Sequence, residues 1–260
     1  MSEEMLYHKK FEQLPVSVFA TNAGLGLAAA EEASSVLKAA VSERGEANVI
    51  LATGNSQLSF LNAIRARTDV PWQSINVFHM DEYVNLPAGH GASFPLFLRR
   101  HLLDEVKPKA FYAVPGDAAD LEAACQDYEK LLREHPAGLC VMGIGENGHI
   151  AFNDPPWADF NDPRWVKVVE LDRRSRQQQV GEGHFGSLAE VPTHAITVTI
   201  PALLAARRVL VLVPEVRKAE AVEKSLFGPV TPDVPASILR RTPHAHLYLD
   251  SDAASLLPGQ

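Results

Sequence analysis

At 260 residues, 46% of them hydrophobic and 22% charged, the chain has the balance of a globular protein and the length for one large core. A formal net charge of −8 offers no basic surface to neutralise phosphates, which excludes DNA and RNA as expected partners. No run of about 18 uncharged apolar residues is present to span a membrane, and Met1–Lys10 mixes charges of both signs instead of forming an apolar leader. The expectation is a soluble cytoplasmic protein, one domain over residues 1–260.

In chain order, Pro15–Ala20 predicts a strand. Leu25–Ser42, rich in Ala and Leu, predicts a long helix with Asn22 as N-cap and Gly45 as stop. Asn48–Ala52 then predicts a buried strand, Gln57–Arg67 a helix, Ile75–Phe78 a strand and Ser93–Leu103 a helix. The rhythm continues with strand Phe111–Val114, helix Ala118–Glu134 and strands Leu139–Ile144, Ala195–Ile200 and Val209–Val213, then helix Glu215–Ser225 and strand His246–Leu249. Such alternation predicts a three-layer α/β fold, a Rossmann-like, mostly parallel sheet with helices on both faces and ligands at the carboxyl ends of the strands. Asp154–Pro163 and Gln177–Gly186 break the rhythm and read as mobile or site-covering loops.

Chemistry is therefore expected in the loops that follow strands. Thr53-Gly54-Asn55-Ser56 is a small, hydroxyl-bearing turn ahead of a helix, suited to an anion or a polyhydroxyl ligand, and equally to a plain N-cap turn. Asp81 and Glu82 place two carboxylates at the end of an apolar strand, where desolvation turns a carboxylate into a stronger base; solvated acids on a surface turn are the bland alternative. Gly143-Ile144-Gly145-Glu146-Asn147-Gly148-His149 supplies glycines for close ligand approach and an imidazole to carry protons, with Asp154 five residues on to fix its tautomer.

His79, His149, His244 and His246 lie near strand ends but lack zinc-binding spacing, and Gly143 and Gly145 lack the rest of a dinucleotide fingerprint, so no cofactor is expected. Cys125 and Cys140 form no C-x-x-C pair and read as inert buried thiols.

Taken together, ATGNS, VFHMDEY, GIGENGHIAFNDP, VPTHAITVTIPALL and VPEVRKAEAV resemble, in order and over about Asn48–Asp250, the glucosamine-6-phosphate deaminase family, with the G-x-G-x-x-G-H core also similar to 6-phosphogluconolactonases. The resemblance implies aldose–ketose isomerisation with deamination of an amino sugar. It assigns C2-to-C1 proton transfer to Asp81, ring opening to His149, and orientation of that histidine to Asp154 with Asn147. Substrate binding falls on Thr53, Gly54, Asn55, Ser56, Glu82, Gly145 and Lys218. The alternatives are hydrolysis of a sugar lactone and a non-catalytic sugar-binding protein. The implied partner is a small sugar or sugar phosphate, and self-association is left open.

This chain departs from the family pattern in four places. Asn147 stands where many members carry Asp, and Asp154 where Glu is usual. The family's N-S-R-F-F segment, whose Arg grips phosphate, reads Gly181-Glu182-Gly183-His184-Phe185, with Gly183 at the Arg position; Lys218, Arg217 and the Thr53-Gly54 turn remain, and Arg173, Arg174 and Arg176 are the candidate substitutes. MSEEMLYHKK does not match the apolar start that contributes to an allosteric site in several members, so no allostery is implied.

Overall fold

The computed structural model describes residues 4–258; residues 1–3, part of the Met1–Lys10 stretch, lie outside them. Strands β1 (Met5–Phe11) and β2 (Leu14–Phe19) lead into helix α1 (Asn22–Arg44), then β3 (Ala47–Leu51), α2 (Leu58–Arg65), β4 (Ile75–His79) and β5 (Asp81–Tyr83). Next come α3 (Phe94–Leu98), α4 (Asp104–Val106), β6 (Ala110–Tyr112), α5 (Leu121–Glu134), β7 (Leu139–Met142) and β8 (Val166–Glu170). The chain ends with α6 (Arg173–Gly181), β9 (His194–Val198), α7 (Ile200–Leu204), β10 (Arg208–Val213), α8 (Ala219–Phe227) and β11 (Ala245–Asp250).

Eight strands form one sheet in the order β1-β2-β11-β10-β7-β3-β4-β6, parallel throughout except for β1, which runs antiparallel to β2 at one edge. Side chains alternate across each strand, so both faces are apolar. Ile50, Phe78, Cys140, Val209 and Val211 pack with α5, α7 and α8, while Val49, Val77, Val141, Leu210 and Leu212 pack with α1 and α2. From β3 the chain proceeds outward to β4 and β6. From β7 it proceeds the other way, to β10 and β11. The connections after β3 and β7 therefore part from each other and leave a crevice above the middle of the sheet.

Several expectations need correction. Ala195–Ile200 does not join the large sheet: β9 pairs antiparallel with β5 and β8 in a separate three-stranded sheet. Its buried, β-branched residues carry no mark of which sheet they enter. Thr21, not Asn22, caps α1, its Oγ1 accepting from Gly24 N at 3.1 Å while Asn22 Oδ1 accepts from Ser59 Oγ. The Gln177–Gly186 stretch is half helix, because Asp172 caps α6 by accepting from Arg174 N and the polar face of α6 looks toward the crevice. No helix among the described residues is long and apolar enough to cross a membrane.

Candidate active site

Loops after β3, β4, β7 and β10 converge on one cleft of about 630 Å³, open at its mouth. Thr53, Gly54, Asn55, Ser56, Asp81, Gly145, His149 and Lys218 all line it, with Gln57, Met80, Phe94, Ile144, Phe152, Gln178, Gln179 and Glu182 among the others. Asn147, Asp154 and Glu82 do not line it.

Two of those three hold His149 from behind. His149 Nδ1 donates to Asn147 Oδ1 at 2.7 Å and lies 3.1 Å from Asp154 Oδ1. Acceptors on that side place the proton on Nδ1, so in the neutral ring Nε2 presents its lone pair to the cleft. Ser175 on α6 and Asn147 Nδ2 both donate to Asp154 Oδ1, and Asp172 N donates to Oδ2 at 3.3 Å. Burial of this fully covered carboxyl opposes ionisation, but the imidazole and these donors outweigh it and hold its pKa at about 2. A five-residue separation brings Asp154 back to the ring because the chain folds on itself: Ala151 takes a positive φ and Asn153 Nδ2 donates to Ile150 O and Val198 O. Replacing Asp154 by Asn removes the charge and keeps the shape. Turnover is expected to fall about 10–100-fold, the scale for a group that orients a reacting histidine, and the melting temperature to fall at neutral pH, because a carboxylate whose pKa is held down stabilises the fold while ionised; steady-state kinetics beside thermal melts checks this.

Adjacent residues of a strand face opposite ways, and this separates the two acids of β5. Asp81 faces the cleft, is 7% exposed and has no hydrogen-bond donor among the described residues; burial, then the neighbouring Glu82, pushes its pKa well above the ordinary carboxylate range. Glu82 faces away, so its expected place in substrate binding is corrected. Its carboxylate accepts from Tyr83 N at 2.8 Å, Ser93 Oγ at 3.0 Å and Phe94 N at 3.1 Å, and burial raises its pKa to about 7 despite these donors. Glu82 thereby ties α3, and with it the cleft-lining Phe94, to β5. Behind Asp81, burial pushes His79 down to about 3, and its Nε2 accepts from Val114 N at 2.7 Å, as befits a neutral structural ring.

At the mouth, Lys218 is the only lysine or arginine of the cleft lining. It is nearly covered, and desolvation lowers its pKa although Glu182 opposes this. Arg217 is turned to three carboxylates: Glu215 at 2.5 Å, Glu182 at 3.0 Å and Glu146 at 3.5 Å. Glu182 also accepts from Gln178 Nε2 at 2.7 Å and sits 3.4 Å from His184 Nε2. Neither Arg217 nor any of the three candidate substitutes, Arg173, Arg174 and Arg176, lines the cleft. Arg173 and Arg174 are exposed on α6, and Arg176 Nη2 donates to Leu188 O and Val191 O.

Sequence reasoning misses Gln178 and Gln179, which fall in the stretch read as a loop, and Ser175, Asn153 and Gln57, whose roles depend on tertiary neighbours. Among the described residues no three His, Cys, Asp or Glu side chains gather as a metal site. His244 Nε2 donates to Leu204 O and His246 bonds Ser17 and Glu32, far from any shared centre with His149. Cys125 and Cys140 are free, and burial raises their pKa values to about 11 and about 12.

The family described as glucosamine-6-phosphate isomerases/6-phosphogluconolactonase matches residues 20–248. A glucosamine-6-phosphate deaminase of Bacillus cereus (strain B4264) is 35% identical over 227 residues, 87% of this chain and 84% of that protein. One from Bacillus cereus (strain G9842) is 37% identical over 206 residues, 79% and 76% of the two chains. Among solved structures, a monomeric glucosamine-6-phosphate deaminase superposes with a TM-score of 0.84 at 30% identity, covering 93% of this chain and 99% of that one. The 6-phosphogluconolactonase of Trypanosoma brucei shares the fold, with a TM-score of 0.76 at 18% identity over 96% and 100% of the chains. A family match over most of the chain, with the parallel sheet and the cleft at its carboxyl edge, places this protein in the glucosamine-6-phosphate isomerase/6-phosphogluconolactonase family.

Proposed function

We propose that this chain is an enzyme that isomerises and deaminates a 2-amino-2-deoxy aldose, glucosamine 6-phosphate or a related sugar, to the ketose and ammonia. The observation that carries the reading is Asp81: a carboxylate without protein donors, facing the same cleft as the free Nε2 of His149.

The chemistry follows from these groups. His149 Nε2 passes a proton between the anomeric hydroxyl and the ring oxygen, which breaks the C1–O5 bond and frees the C1 aldehyde. The C2 hydrogen is then acidic because it lies beside a carbonyl. Asp81 takes it as the carbonyl oxygen on C1 gains a proton, forming the 1-hydroxy-2-amino alkene, and returns a proton to C1, which with loss of a proton from nitrogen leaves an imine at C2. Water adds at C2, the C2–N bond breaks, and ammonia departs. Every step moves a proton between neighbouring atoms or adds water, so the chemistry calls on no metal or organic cofactor. Phe94 and Phe152 wall the site and keep Asp81 desolvated, which makes it a stronger base once ionised.

Lactone hydrolysis on the same fold needs His149 to activate water but gives no work to a buried base such as Asp81, which favours the deaminase reading. A sugar-binding protein would likewise have no use for the costly burial of an unpaired carboxylate. Ammonia release from amino sugars, measured beside base consumption on a sugar lactone, separates the three. Ammonia is the expected product; lactone opening alone, or binding without either reaction, would sink the proposal. The same reading takes residues 1–260 as one domain, supported by β1, β2 and β11, which come from opposite ends of the chain and share one sheet.

A further inference from the structure

Resting on the amino-sugar reading above, we infer that the cleft is built for a sugar whose far end is an uncharged hydroxyl-bearing group, not a phosphate ester, and that Glu182 sets this preference.

The charges at the cleft point this way. Of the charged side chains that line the cleft, Lys218 is a cation and Glu182 a carboxylate held ionised, while burial opposes ionisation of Asp81. Glu182 is 7% exposed at its side chain and held in place by Gln178, Arg217 and His184. These contacts keep it ionised despite burial, with a pKa of about 2, so a carboxylate paired with Arg217 stands in the cleft lining at neutral pH. The same contacts remove the nearest guanidinium from service, since Arg217 already faces Glu182, Glu215 and Glu146. A phosphate dianion entering here meets one partly desolvated ammonium and the backbone N–H groups of the Thr53–Ser56 turn, opposed by a carboxylate.

Hydrogen-bond chemistry points the same way. Gln57 is 1% exposed and lines the cleft; its Nε2 donates to Ser56 Oγ at 3.1 Å, and its Oε1 has no donor among the described residues. Its amide lies beside Gly143, whose built Cβ would stand 3.2 Å from Gln57 Nε2 and 3.4 Å from Leu212 O, on the β10 side where Lys218 also sits. An orphaned buried acceptor calls for a donor. That oxygen has no accessible surface toward the cleft, so a sugar hydroxyl reaches it only with a shift of the Gln57 side chain, and a phosphate dianion, with acceptors alone, gains nothing from that shift. Gln178 and Gln179 add carboxamides, groups that pair with hydroxyls in either direction.

Specificity constants for glucosamine and glucosamine 6-phosphate, measured side by side by ammonia release, test the inference. The expected ratio favours the phosphate ester by less than about tenfold, or not at all; a larger preference overturns it. Glu182→Gln removes a carboxylate from the cleft lining while Arg217 stays paired with Glu215 and Glu146, and the ratio is expected to shift toward the phosphate ester by about tenfold. An unmoved ratio in a folded variant overturns the assignment to Glu182. Calorimetric binding of 2-amino-2-deoxyglucitol and its 6-phosphate to the wild-type protein keeps the two readings apart. Absence of ammonia from both sugars defeats the deaminase reading, while the two dissociation constants still decide, by the same tenfold criterion, which terminus the cleft accepts.

Discussion

Asp81→Asn is expected to lower kcat by about 10²–10⁴-fold, the usual contribution of a positioned base, and at the same time to make the protein more stable. The two effects share one cause. Burial and Glu82 hold the Asp81 carboxyl above its ordinary pKa, so ionising it costs more in the folded than in the unfolded chain. For a carboxyl with a raised folded pKa, the unfolded state sheds its proton first as pH rises. Stability therefore falls with rising pH, from the unfolded value near 3.8 up through the folded value. The amide has no proton to lose and escapes this penalty. At pH 8 the variant should melt at a higher temperature than the wild type, and the gap should shrink toward pH 4. Thermal melts across pH, with turnover measured on the same preparations, check both halves. A variant with lost activity and lowered stability at pH 8 would assign Asp81 a structural role instead.

Gly145→Ala should cost about 10²-fold in turnover with the fold intact. A Cβ built on Gly145 stands 2.1 Å from His149 Cε1, 2.2 Å from Nε2 and 2.3 Å from Nδ1, so the ring lies flat over a residue that must lack a side chain. A methyl group there pushes the imidazole off by an ångström or more and stretches its contacts with Asn147 and Asp154. The three atoms nearest to that Cβ all belong to the ring, so the histidine takes the first displacement. Gly91→Ala, whose added Cβ meets nothing within 4 Å, serves as the control. Turnover of Gly145→Ala near that of the wild type would show that ring position at His149 does not limit the reaction.

The central strands were legible because a parallel strand covered on both faces must be apolar at nearly every position, as NVIL, INVF and LCVM are. β1, by contrast, reads MLYHKKF and lies at the sheet edge with most of its residues exposed, so no periodicity marks it. The short VKVVE of β8 follows a Pro- and Asp-rich loop, and its partner β9 lies almost thirty residues away, so neither signals that together with β5 they form a second sheet. The helix α6 hides for another reason: RRSRQQQVG has no apolar face, since one side meets solvent and the other a polar cleft.

The residues of the site divide along the same line. Asp81, His149 and Thr53–Ser56 stand out because they lie in loops after apolar strands, Lys218 is named through the family resemblance alone, and the cleft brings them together. Glu82 could not be told from Asp81, because alternation within a strand decides which of two adjacent acids faces the ligand, and β5 was not foreseen. Ser175, Asn153 and Gln57 act through contacts made far along the chain or within a turn, which no local pattern announces.

The most direct test is a single reaction followed by NMR in deuterium oxide, with glucosamine and glucosamine 6-phosphate supplied separately. Proton transfer by Asp81 followed by hydrolysis predicts ammonium and ketose in equal amounts from at least one sugar. The second hydrogen on C1 should come from the substrate's C2 or from solvent deuterium, and both products should disappear in Asp81→Asn. Ammonium and ketose formed at the wild-type rate by Asp81→Asn, or no ammonium from either sugar with the wild-type protein, would contradict it.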